Sequence, residues 1–200
     1  LSSQLDDTCF SKTTVLAGDI QLNTVDFIFH VVRDIFFLWM QQKGILAIHS
    51  SSIIYQNKAY LFSASSGTGK TTHTNMWVER FGVEILDGDV TAICIEDGQP
   101  IAYGLPWCGT SKRFLNKRVL IGGIIFISQG CHNSVSTLTP FESILRITAR
   151  CFSPTWTKEL TDHNLTIAQQ FIDKIFCCFF SCLPNQEAVT TIKEYIDAKQ

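Results

Sequence analysis

The feature that most constrains this chain is the junction Ser63-Ala64-Ser65-Ser66-Gly67-Thr68-Gly69-Lys70-Thr71-Thr72-His73. An apolar β-type run, residues 59–63, leads into it, and Met76, Trp77 and Phe81 follow at helical spacing over 71–81. A strand that becomes a helix through two glycines commits the chain to an α/β architecture. It also builds an anion site: phosphate oxygens need several N–H donors converging from one turn, glycine lets the backbone approach closely, and the helix start adds partial positive charge. In such a site Lys70 reaches the β- and γ-phosphates of a nucleotide and the Thr71 hydroxyl takes a magnesium position. The pattern G-x-x-x-x-G-K-[ST] is not strictly kept, because its first glycine is Ala64. The plainer alternative is a glycine-rich turn with a surface lysine.

The rest of the chain reads as strands and helices of one domain, with no repeat and no low-complexity linker. Residues 25–40 predict a long buried helix, capped by Asn23 or Thr24 and ended by Gly44. Asp26, His30, Arg33 and Asp34 interrupt that run, and it falls short of the ~20 apolar residues of a membrane span. Residues 45–55 and 59–63 predict a hairpin over Gln56-Asn57, and 91–95 with 101–103 a second over Asp97-Gly98. Residues 83–86 predict a short strand, and 119–128, the most apolar β-branched run, a central buried one. Helices are expected over 140–151, with Pro140 at the first position, over 158–174, and at the C-terminal end with Val189, Ile192, Tyr195 and Ile196 inward. Residues 13–16 read as a strand, and 175–183 as a strand or a helix, the strand preferred because Pro184-Asn185 then opens the last helix.

Composition narrows the function classes. With 16 basic and 18 acidic residues, net −2, the 200-residue chain has no field that gathers nucleic acid or anionic lipid, so any phosphate is bound locally. A chain this long buries roughly 70% of its unfolded surface and needs no disulfide frame. No signal-peptide pattern opens it, although it begins at Leu1 and an N-terminal segment can be missing. The eight cysteines lack zinc spacing and read as buried free thiols of a cytoplasmic protein. Hydrophobic residues make up 46% and aromatic residues 12%, against 17% charged, which predicts either a large core or an apolar surface covered by another chain. Residues 25–40 and 176–182 are the first candidates for such a contact, with a second copy, a partner chain or a peptide, and plain core is the simpler reading of both.

A phosphate loop alone does not choose between a kinase, an ATPase and a nucleotide switch. Asp87-Gly88-Asp89 stands at the end of the 83–86 strand, 17 residues beyond Lys70. A carboxylate there can hold the Mg²⁺ shell, and one two positions away points to the same side of an extended chain. Asp89 then takes the metal, and Asp87 orients it or accepts a proton from an attacking hydroxyl. The alternative is a polar turn. His49, in the strand paired with the one feeding the loop, falls by hairpin register near the same end, to orient a carboxylate, touch substrate, or serve only the core.

Four motifs in this order, His49-Ser50-Ser51, Ser66-Gly67-Thr68-Gly69-Lys70-Thr71-Thr72-His73-Thr74 with Trp77, Ile85-Leu86-Asp87-Gly88-Asp89 and Tyr103-Gly104-Leu105-Pro106-Trp107-Cys108-Gly109, resemble the phosphoenolpyruvate-carboxykinase-like nucleotide-binding fold. Within it they are most similar to the HPr kinase-related group of small bacterial kinases, including those associated with ribosomally made peptides. The resemblance covers about 44–128 and, weakly, 183–189; residues 1–43 and 140–180 carry no matching motif. It implies a mixed sheet flanked by helices, use of ATP and Mg²⁺, and transfer of phosphate to a hydroxyl: a serine or threonine of a peptide or protein, or a small molecule such as serine. Residues 65–72, namely Ser65, Ser66, Gly67, Thr68, Gly69, Lys70, Thr71 and Thr72, match the family's phosphate loop, Asp89 its magnesium-binding second acid, and His49 the histidine ahead of the loop. The first acid, the family's general base, falls at Gly88 or is displaced to Asp87. Lys112 and Arg113 lie in the stretch of its substrate-side loop, where a cation can stabilise the transferring group; with Lys117 and Arg118 they also fit a solvated basic face. Carboxykinase chemistry, which needs a larger second lobe, and a nucleotide-binding scaffold without transfer are the rival expectations.

Overall fold

The computed structural model describes residues 2–5, 13–16 and 24–199. The cap position Asn23 and the thiol of Cys9 lie outside the described residues. In chain order the elements are β1 (Ser2–Leu5), β2 (Thr13–Leu16), α1 (Thr24–Gln42), β3 (Leu46–Tyr55), β4 (Lys58–Ser63), α2 (Lys70–Phe81), β5 (Glu84–Asp87), β6 (Val90–Glu96), β7 (Gln99–Gly104), a 3-10 turn (Gly109–Ser111), β8 (Arg118–Gln129), β9 (Ser134–Thr137), α3 (Pro140–Ala149), α4 (Lys158–Gln169), β10 (Phe176–Cys182) and α5 (Gln186–Asp197).

β1 and β2 form a separate antiparallel pair. The other eight strands make one mixed sheet in the order β4-β3-β6-β7-β8-β10-β9, with β5 on β3. The sheet also curls on itself. Leu120 of β8 pairs with Ile101 of antiparallel β7 and with Lys58 of parallel β4, so β3, β4, β8, β7 and β6 form a closed ring. Two glycines permit the curl: a Cβ on Gly122 would lie 2.5 Å from the Tyr60 ring, and one on Gly123 2.4 Å from the Phe176 ring. Both two-residue hairpins form where expected, with positive φ at Gln56, Asn57, Asp97 and Gly98, the twist that antiparallel strands require.

Three cores follow from side-chain alternation. In β4, Ala59 and Leu61 join a cluster with Ile147 of α3 and Ile167 of α4, while Tyr60 and Phe62 face Trp77 of α2 and Ile192 of α5. Being buried on both faces, β4 and residues 123–127 of β8 read as continuous runs with few polar residues. A smaller cluster sets Phe37 and Met40 of α1 against Ala47, Val90 and Leu105. The mixed sheet flanked by helices agrees with expectation.

Several expectations need correction. α1 is buried only on one face, since Ile28, Phe29 and Val32 are 54%, 51% and 53% exposed. Residues 176–182, by contrast, follow the simpler of their two readings and belong to the core: β10 runs between β8 and β9 with Cys178 and Phe180 fully buried. The helix expected over 158–174 stops at Gln169, because buried Phe171 anchors the turns that feed β10. β9, a polar edge strand, has no apolar alternation to announce it. Of the seven described cysteines, all free, Cys94, Cys177 and Cys178 are buried and Cys131 is exposed, so the buried-thiol expectation holds only in part. Among the described residues no helix is long and apolar enough to cross a membrane.

Candidate active site

β4 delivers the chain to the loop, where the Ser63 hydroxyl donates to the His49 carbonyl at 2.8 Å. Gly67 and Gly69 take φ of +77° and +111°, left-handed values that L side chains rarely adopt. α2 then starts at Lys70 with no side-chain cap, so its first N–H groups face the loop without a protein acceptor from the cap residue. Ser65, Ser66, Thr71 and Thr72 are exposed, and Thr68 is half-buried. Lys70 is buried and its Nζ donates to the carbonyls of Ala64 (3.1 Å) and Ser65 (3.3 Å). Burial lowers its pKa; Asp89 opposes that shift and Arg150 adds to it. Helix dipole, uncapped N–H groups and lysine thus converge on one loop.

The acidic turn lies at the same end of the sheet. Asp87 is fully buried: Oδ1 accepts from the N–H groups of Asp89 (2.8 Å) and Val90 (2.9 Å), and Oδ2 from that of Leu105 (2.6 Å). Burial pushes this carboxyl up to about 7 against the pull of those three donors. Gly88 has no room for a side chain, since a Cβ there would stand 1.7 Å from Ser111 Oγ and 2.5 Å from Ser111 Cβ. Asp89 is turned outward, its Oδ1 3.4 Å from His49 Nε2, and a Cβ on Gly109 would come within 2.9 Å of its carboxylate. The three positions of Asp-Gly-Asp therefore differ in kind: a buried anchor, a glycine closed in by Ser111 and an outward-turned acid.

Three cavities border these residues. One of about 390 Å³ lies along the loop between Gly69, His73, Met76 and Leu183. A second, about 400 Å³, lies between Ser65, Ser66, Gly67 and Thr68 and the side chains of Arg146 and Arg150. The third, about 280 Å³, reaches Asp89 from the α1 side between Arg33, Trp107 and Phe152. Lys112 and Arg113 line none of these three. Both are exposed; Lys112 sits at φ +54° and Arg113 reaches Asn75 Oδ1 of α2 at 3.3 Å. The structure thus brings together the loop, Lys70, Asp89 and His49, and leaves Lys112 and Arg113 outside. Sequence reading missed Arg146, on α3, and Arg150, its C-cap residue; their spacing of four suggests one face of a helix but not what that face meets.

No protein-family model matches the chain, and no curated protein matches it. Among solved structures the chain is similar to the Hpr(Ser) kinase/phosphatase from Coxiella burnetii, at 12% identity, over 76% of this chain and 98% of that one, with a TM-score of 0.43. A likeness of this size assigns no residue a role, and the chemistry rests on the geometry above.

Proposed function

We propose that the chain is an ATP- and Mg²⁺-dependent phosphotransferase acting on a hydroxyl. The observation that carries this reading is the convergence of a glycine-bounded, uncapped helix start and its lysine with the His49–Asp89 pair at one end of the sheet. The loop N–H groups and Lys70 hold the nucleotide's phosphates. The acceptor enters through the aromatic cavity beside Asp89, which suits a serine or threonine of a peptide better than a charged small molecule.

As the acceptor oxygen bonds to the terminal phosphorus, the bond to the bridging oxygen breaks, its electron pair leaves with the diphosphate, and the hydroxyl proton passes to the imidazole of His49, which stands beside Asp89. Such transfer is loose, so positioning and charge stabilisation contribute more than the base. Asp87, with both oxygens on backbone donors, serves as the anchor that holds Asp89 at the loop rather than as the proton acceptor.

Thr71 and Asp89 supply hard oxygen donors for magnesium, and among the described residues no cluster of three His, Cys, Asp or Glu side chains forms a metal site by itself. That donor set fits an ion arriving with the nucleotide, where it neutralises phosphate charge. A nucleotide-binding module without transfer is the second reading, favoured by the glycine at position 88, where Ser111 leaves no room for a side chain. Incubation with Mg-ATP and serine- or threonine-containing peptides or cell extract, followed by mass spectrometry, separates the two: the first gives a phosphate gain lost in Lys70→Ala and Asp89→Asn, the second gives none.

A further inference from the structure

Two arginines at the end of α3 stand on one side of the loop. α3 belongs to a stretch with no motif, yet its end is bound to the sheet at the site. The His49 N–H donates to the Arg150 carbonyl at 2.8 Å, Ile48 bridges Cys151, and the Phe152 N–H donates to the Ala47 carbonyl at 2.8 Å. This docking carries Arg146 and Arg150 into the cavity whose other wall is the first half of the loop. Arg146 lies 4.8 Å above the Phe179 ring, which fixes its guanidinium. Neither guanidinium has a salt bridge or hydrogen bond to a described residue, and Glu142, the acid one turn before Arg146, is engaged by Thr139 in a capping box.

Lys70 Nζ donates to the Ala64 and Ser65 carbonyls at 3.1 and 3.3 Å, and Ser65 lines the same cavity as Arg146 and Arg150, so the lysine and the two guanidiniums face the same end of the loop. Like charges collected on a half-buried surface are stable when an anion joins them. Because Ser65 joins that cavity to the Lys70 ammonium, Arg150 works at the β/γ end of the phosphate chain, where Lys70 reaches. We propose, on the phosphotransferase reading above, that Arg150, supported by Arg146, binds the terminal phosphate of the nucleotide and stabilises the charge on it during transfer. The cation role that sequence reading gave to Lys112 and Arg113 passes to α3.

The test is calorimetric binding of Mg-ADP and of the Mg complex of the non-hydrolysable β,γ-imido triphosphate to the full chain. Loss of one charge-assisted phosphate contact is expected to weaken triphosphate binding by Arg150→Ala about tenfold or more, with diphosphate binding changed less than about threefold. Arg150→Lys, which keeps the charge and guards against misfolding of the alanine variant, is expected to fall between; Arg146→Ala weakens the triphosphate by about threefold. Equal weakening of both nucleotides, or of neither, overturns the inference while the phosphate loop stands. A wild-type chain that binds neither nucleotide overturns the phosphotransferase reading, and this inference with it.

Discussion

His49 Nε2 lies 3.4 Å from Asp89 Oδ1, and the pairing of β3 with β6 puts His49 opposite Val90, the residue after that acid. The backbone thus holds the two side chains within reach of each other whatever their charge. The imidazole packs on Phe152 at 5.0 Å, which leaves the pair partly exposed and able to meet a substrate. Asp89→Asn is expected to lower phosphoryl transfer by ~10² or more and His49→Gln by ~10. Both should leave thermal stability within about 1 kcal/mol of wild type, because exposed pairs contribute little. Steady-state turnover and melting curves check this; equal activity in all three proteins contradicts it.

Lys70 pays for its place with desolvation, partly offset by the two loop carbonyls. Lys70→Ala is therefore expected to abolish nucleotide binding while leaving the urea midpoint unchanged or slightly raised. A variant that binds nucleotide as tightly as wild type would remove the lysine from the site.

Asp87 and His73 give opposite pH slopes. Burial raises the Asp87 carboxyl from 3.8 to about 7, so the folded state binds the extra proton and stability falls as pH rises across that window. Burial lowers His73 from 6.5 to about 4, so the unfolded state binds the extra proton and stability falls as pH drops from 6.5. Between pH 4.5 and 6.5 the two cancel in large part. Asp87→Asn is expected to gain stability with rising pH relative to wild type, and His73→Gln to lose it, by up to about 1.4 kcal/mol per pH unit. Urea unfolding at several pH values reads the slopes; curves parallel to wild type contradict the assignment.

Gly88 is held as glycine by Ser111. Gly88→Ala is expected to cost ~1–3 kcal/mol as the 108–111 segment is pushed away, and Ser111→Gly in the same chain to restore part of it. A Gly88→Ala midpoint equal to wild type in urea would show that the segment yields freely.

The elements legible in the sequence are those fixed by local physics. Gln56-Asn57 and Asp97-Gly98 announce their turns because few residues accept positive φ, and the strand-glycine-helix junction announces the loop for the same reason. His49 was legible at the loop end because hairpin register carries the order of β3 to β4, whereas the β3–β6 pairing that sets it beside Asp89 joins strands that are not consecutive. What escaped depends on contacts between distant segments. The β4–β8 closure joins residues about 60 apart, Gly122 and Gly123 have meaning only beside Tyr60 and Phe176, and Arg146 and Arg150 matter only once α3 docks at His49. The inertness of Gly88 and the burial of Asp87 were hidden likewise, because a turn sequence does not show what packs over it.

The most direct test of the account is transfer of labelled terminal phosphate from ATP to serine-containing peptides or cell extract by wild type, Lys70→Ala and Asp89→Asn, with magnesium and with a chelator. The expected result is label on an acceptor hydroxyl with wild type and magnesium alone, and loss of at least ~10² in either variant. Label that appears equally in all three proteins, or a wild type that binds Mg-ATP but transfers to no acceptor, contradicts the phosphotransferase assignment.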